Sequence, residues 1–134
     1  MGLRLAIVTP SRSVVDADAD SVVAPGSEGE LGILPGHAPI LVALKPGVVR
    51  YTESGRTSRV AIGGGFAEVT QERVTVLAPS AETADQIDAA EAEARRARAA
   101  AALGEAGYAA PAEEVAKLRD ALELAQARVD ALRT

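Results

Sequence analysis

The chain has 134 residues and a mass of 13.7 kDa, the size of one ordinary domain or two small ones, and only Tyr51, Phe66 and Tyr108 are aromatic, so its core must be built from Val, Ile, Leu and Ala. A net charge of −5, with acids and bases interspersed, offers no basic face to a phosphate backbone and argues against nucleic acid as a partner. With no Cys and one His, a disulfide framework, a thiolate nucleophile, a Cys-based zinc site, a His-based catalytic metal centre and a hydrolytic triad all fall away, and no metal is expected.

The first twelve residues, Met1 to Arg12, lack a long apolar stretch, and no run of about 18 apolar residues follows. The expectation is a chain with neither signal peptide nor membrane span, in a reducing, cytoplasmic setting. Strand-length apolar runs come next: Leu3 to Val8, Ser13 to Val15, Ser21 to Ala24, Ile40 to Leu44, Val48 to Tyr51, Ser58 to Ile62, Phe66 to Thr70 and Val74 to Leu77. Turn signals separate them at Pro25-Gly26, Pro35-Gly36, Pro46-Gly47, Glu53 to Arg56, Gly63-Gly64-Gly65 and Thr70 to Arg73. No helix-length segment is left to cross between parallel strands, so an antiparallel sandwich or barrel is expected.

The composition changes near Ala84. Residues 1–84 hold ten of the twelve glycines, whereas residues 85–134 hold 18 alanines in 50 positions. These two units, 1–84 and 85–134, carry formal charges of −2 and −3, so neither is a polycationic arm. In the second, Thr83 and Gln86 form a capping box for a helix from about Ala84 to Leu103. Gly104 to Gly107 breaks it, and Pro111 with Glu113 and Glu114 opens a second helix. The second helix shows a seam of Val115, Leu118, Leu122, Ala125, Val129 and Leu132; the first shows Ile87, Ala90, Ala94, Ala97 and Ala101. Together they make an antiparallel hairpin. Alanine adds one methyl where a buried Leu contributes roughly 1.5–3 kcal/mol, so the hairpin is weakly held yet intrinsically helical, able to move as a unit.

The clusters that suggest chemistry have plainer readings. Gly63-Gly64-Gly65 precedes a strand and not a helix N-terminus, so it reads as a turn or bulge and not as a phosphate loop. His37 lies between prolines without an acid or nucleophile at a set spacing, and reads as structural. Asp16, Asp18 and Asp20 lack the Gly and distal Glu of a calcium loop and read as a solvated strand edge. The run Arg95-Arg96-Ala97-Arg98 has two readings, a solvated helix face supported by Glu91 at i−4 or a contact for an acidic partner. No catalytic constellation emerges. An interaction module of the α+β class does: an antiparallel β-sandwich followed by a helical hairpin.

From Ser27 to Ile40 the chain reads Ser-Glu-Gly-Glu-Leu-Gly-Ile-Leu-Pro-Gly-His-Ala-Pro-Ile, with Leu44-Lys45-Pro46-Gly47 beyond. With Ile62 to Val69, Val74 to Ala78 and Ile87-Asp88, it closely resembles the epsilon subunits of bacterial F-type ATP synthases over essentially its whole length. The resemblance implies a sandwich of about ten strands and a C-terminal helix-turn-helix. It also implies a non-catalytic rotor subunit of the central stalk, bound to the gamma subunit and the c-ring, peripheral on the cytoplasmic face of the bacterial plasma membrane. By resemblance, Glu30, Gly32, Pro35 and His37 belong to the contact with the c-ring and gamma. The hairpin would reach the beta and alpha subunits of the catalytic head and inhibit ATP hydrolysis, with Arg95, Arg96, Arg98, Lys117, Arg119 and Arg128 meeting acidic segments. Some members of that family bind ATP at a pattern matched here by Ile87, Asp88, Ala92 and Arg98-Ala99, but Glu91 stands where the pattern has Arg. An anion there opposes a triphosphate, so no cofactor is expected and regulatory ATP is disfavoured. The competing reading is a free-standing nucleotide-sensing or adaptor module of the same architecture.

Overall fold

The computed structural model describes residues 2–133. Its strands are β1 (Leu3–Val8), β2 (Ser13–Ala19), β3 (Ser21–Gly26), β4 (Gly29–Ile33), β5 (Ile40–Glu53), β6 (Arg56–Val69), β7 (Arg73–Leu77) and β8 (Ala81–Thr83). A 3₁₀ turn (Ala84–Gln86) leads to the helices α1 (Ala89–Ala106) and α2 (Ala112–Ala131). Hydrogen bonding runs β2-β1-β7-β6-β5-β3-β4, and β8 adds to β6.

That one continuous ladder folds into two layers because β5 and β6 are long and bend together. The N-terminal part of β5 pairs with the C-terminal part of β6, which continues to β7 and β1. Beyond the bend, β5 pairs with β3, while β6 pairs with β8. Pro46 and Gly47 stand opposite Gly63 and Ile62, so the turn signals read from the sequence at these places are bends within paired strands. Four expected runs therefore merge into two strands, and the described residues form eight strands where about ten were expected. The glycines make the bend possible. Gly65 has φ +118°, and a Cβ on it would fall 2.0 Å from the Leu77 carbonyl oxygen.

Two further differences come from pairing and not from composition. β1 lies parallel to β7, so the sandwich is not wholly antiparallel. Strand β4 lies outside the expected apolar runs; it forms as the return arm of a tight hairpin in which Gly26 faces Gly29. The alternation of half-buried Leu31 and buried Ile33 is the signal of this strand in the sequence. The hairpin turn at Ser54-Gly55 has positive φ at both residues, as a two-residue strand reversal needs.

The main core is aliphatic, with Leu3, Leu5, Ile7, Val22, Val49, Val60, Ile62, Val74 and Val76 fully buried between the layers. Each such side chain contributes about 1.5–3 kcal/mol of burial. A second, smaller cluster joins the helices to the sandwich: Ala61, Ile87, Ala92, Ala127 and Ala131, with half-buried Val48, Val129 and Leu132. The hairpin is therefore folded down on the sandwich, with alanine the commonest residue at the junction.

The first helix starts later than expected. The Gln86 side chain accepts a hydrogen bond from the Thr83 backbone N–H at 3.3 Å, but this closes only a 3₁₀ turn, and Ile87 returns to extended backbone. Asp88 is the true cap, its carboxylate accepting the Glu91 N–H at 3.0 Å. The helix also runs through Gly104, ending at Gly107 with φ +57°. On α1 the expected seam is displaced: Ala90, Ala94, Ala97 and Ala101 are exposed, while Ala92 is buried and Arg96, Ala99, Leu103 and Ala106 are half-buried. On α2, the expected seam does turn inward, with Ala125 buried and Val115, Leu118, Leu122, Val129 and Leu132 half-buried.

Candidate functional site

Two regions hold the residues of interest, the sandwich edge around β4 with the adjoining sheet face, and the junction of hairpin and sandwich. At the edge, Glu30 and Gly32 are exposed on β4, and Glu30 forms an ion pair with Arg50 at 3.4 Å. Glu30 also lines the cleft beneath α2, beside Lys45, Arg59 and Asp130. Pro35 and Gly36 form an exposed turn whose Gly36 N–H donates to the Gln71 carbonyl, tying it to the β6–β7 connection. His37 is half-buried, its backbone N–H donating to the Leu34 carbonyl and its Nδ1 lying 2.7 Å from the Ala38 carbonyl oxygen. These contacts brace the turn and leave the Pro35 ring exposed.

A larger feature is absent from the residues picked out by sequence. On the outer face of the sheet, Val8, Leu77, Phe66 and Ala43 stand in register across four adjacent strands, β1, β7, β6 and β5. Phe66 is 54% exposed and Leu77 is 55% exposed, with Pro10 beside them. Leu34 and Leu41 add further exposed apolar surface. An apolar row in register across a sheet face is suited to cover by another protein surface. Its signal in the sequence is that the only Phe falls on the polar side of an alternating strand, between Gly65 and the buried Ala67.

At the junction, Arg128 is only 8% exposed and is the only buried charged or polar residue among those described. Its Nε donates to Glu82 Oε1 at 2.8 Å, and its Nη1 donates to Glu91 Oε2 at 2.8 Å. Glu82 belongs to β8, Glu91 to α1 and Arg128 to α2, so one guanidinium ties the sandwich to both helices. Burial by itself lowers the Arg128 pKa, but the bonds to Glu82 and Glu91 outweigh it and hold the value above its ordinary level. Glu91 has a second cation, Arg95, at 2.8 Å from its other oxygen.

The remaining basic candidates are not gathered into one site. Arg96 is bound by Glu93 on its own helix, through Nε at 3.0 and 3.1 Å. Arg98, Lys117 and Arg119 are exposed. The residues matching the nucleotide pattern are also dispersed: Ile87 is buried beneath the hairpin, the Asp88 carboxylate caps α1, and Arg98 is exposed about 15 Å further along the helix axis. Asp16 and Asp18 pair with Arg4 at 2.8 and 3.2 Å, in keeping with a charged strand edge. No helix among the described residues is long and apolar enough to cross a membrane.

A bent two-layer sandwich with a docked helical hairpin leaves an apolar row exposed on one sheet face, a surface of the kind that marks protein contacts. Residues 2–84 match the family model described as ATP synthase, Delta/Epsilon chain, beta-sandwich domain. The chain belongs to this ATP synthase delta/epsilon family. It is 55% identical over 85 residues to the ATP synthase epsilon chain of Desulforamulus reducens, a match covering 63% of this chain and 64% of that one. The epsilon chain of Pelotomaculum thermopropionicum is 52% identical over 87 residues, covering 65% of each. The match thus spans just under two thirds of these relatives' length. Its fold is similar to a chain in the Euglena gracilis mitochondrial ATP synthase structure of OSCP, F1 and c-ring, with TM-score 0.80 and 22% identity over 98% of this chain and 82% of that one. A chain of the Tetrahymena thermophila mitochondrial ATP synthase central stalk and c-ring gives TM-score 0.62 at 16% identity, over 99% of this chain and 98% of that one.

Proposed function

We propose that this chain is a non-catalytic subunit of the rotating central stalk of an F-type ATP synthase. In this reading, unit 1–84 attaches to the gamma subunit and the c-ring, peripheral to the cytoplasmic face of a bacterial plasma membrane. Unit 85–134 is a movable arm that reaches the beta and alpha subunits of the catalytic head and restrains ATP hydrolysis. The observation that carries the reading is the contrast between the two interfaces of the sandwich. Its interior is closed by large aliphatic side chains, whereas under the hairpin Ile87 is the one large buried apolar side chain beside Ala61, Ala92, Ala127 and Ala131. A helix pair that buries few large side chains against the sandwich can leave without disturbing the sandwich core. The exposed row of Val8, Leu77, Phe66 and Ala43 supports attachment to gamma, and the braced turn with Glu30, Gly32, Pro35 and His37 supports contact with the c-ring.

Glu91 disfavours ATP as a ligand, since its carboxylate already occupies Arg128 and Arg95. The arm is tested by truncating the chain after Ala84 and reassembling the enzyme. Hydrolysis should rise while coupling is preserved, and unchanged hydrolysis would refute the inhibitory role. Co-purification with a gamma-like coiled-coil subunit separates this reading from a free-standing adaptor.

A further inference from the structure

We infer that Glu82, Arg128 and Glu91 form the latch that holds the hairpin folded on the sandwich, and that Arg128 trades these carboxylates for those of an acidic partner when the arm extends. The second part rests on the function proposed above; the first stands on the geometry alone. Arg128 reaches a carboxylate on each of the other two bodies it must hold, Glu82 on the sandwich and Glu91 on α1, both at 2.8 Å. Four of the five buried residues of the surrounding junction are alanine, so apolar burial there is smaller than in the sandwich core.

A guanidinium buried at such a junction is tolerated only while both carboxylates are present, because an unpaired buried charge is costly. In an undocked hairpin the same side chain is solvated, and that cost disappears. The cluster therefore acts on the equilibrium between docked and extended arms more than on the sandwich itself. Arg95, at 2.8 Å from Glu91, orients the α1 carboxylate toward the latch. One guanidinium cannot satisfy the internal pair and an outside acidic surface together, so docking and partner contact exclude each other.

The test uses the full-length chain and its Glu82→Gln, Glu91→Gln and Arg128→Met variants, followed by amide hydrogen exchange. Glutamine removes charge at nearly constant shape and leaves Arg128 available to a partner. Both glutamine variants should speed exchange of α1 and α2 amides at least about tenfold, with β1, β6 and β7 unchanged as the internal check on folding. In the reassembled enzyme they should deepen inhibition of hydrolysis, whereas Arg128→Met, which frees the arm but removes its cation, should not. Unaltered hairpin exchange in both glutamine variants overturns the latch, whatever the truncation experiment says of inhibition. Faster exchange with hydrolysis unaffected by Glu82→Gln and Glu91→Gln overturns the exchange of partners.

Discussion

Gly65 carries the tightest steric demand in the sandwich. Its φ of +118° is poorly tolerated by L side chains, and a Cβ would collide with the backbone of Leu77 and Ala78. Gly65→Ala should destabilise the protein by more than about 2 kcal/mol, read from the denaturant midpoint. The Gly triplet is legible in sequence as an irregularity, but its role as the corner of a continuous strand is not, because only the partner strand shows that hydrogen bonding persists through it. Glu93 accepts hydrogen bonds from Arg96 on its own helix. The hydrogen bond from Arg96 holds its carboxyl below the ordinary Glu range. Its contribution to stability is present above the unfolded pKa and lost as pH falls through the lower folded value. In an NMR titration Glu93 should titrate below an unperturbed Glu, and Arg96→Gln should move its midpoint upward.

At the scale of elements, the two helices differ in what their sequences disclose. Along α2 the large residues Val115, Leu118, Leu122, Val129 and Leu132 stand apart from the polar ones, and their seam is the one that turns inward. Along α1 nearly every position that is not charged is alanine, so a hydrophobic period fits several faces equally well. The face that packs is set by α2 and β6, which is why Ala92 is buried while Ala90 and Ala94 are not. The start of α1 has a similar history: both Thr83 and Asp88 are good caps, and extended backbone at Ile87 hands the role to Asp88. Asp88→Ala should cost about 1 kcal/mol and appear as faster exchange at the Glu91 and Ala92 amides, with little change in the Thr83 to Gln86 turn. No such local change is expected from Thr83→Val, because the Thr83 hydroxyl is not the cap of α1.

For the molecule as a whole, the apolar row on the sheet face separates stability from assembly. Phe66 and Leu77 are half-exposed, so Phe66→Ser and Leu77→Ser should each cost no more than about 1 kcal/mol of folding stability. The double variant should nonetheless fail to co-purify with the stalk partner. Retained assembly would refute the proposed attachment to gamma through this row. This row joins Val8, Ala43, Phe66 and Leu77 from distant parts of the chain, so a local pattern marks Phe66 alone and not the row.

By itself, the sequence determined the change of composition near Ala84, the aliphatic character of the strands, the helical character of the C-terminal part, and the family through the motif from Ser27 to Ile40. Those properties are local: they follow from propensity, turn residues and short spacing, which neighbours in the chain carry between them. The tertiary structure decided the parallel pairing of β1 with β7, the bending of two long strands into both layers, the inward face of α1, and the meeting of Arg128 with Glu82 and Glu91. Each depends on groups brought together from separate elements. Residues 82, 91 and 128 have no common period or motif, and only the docking of two helices on a sheet puts their charges within hydrogen-bonding reach.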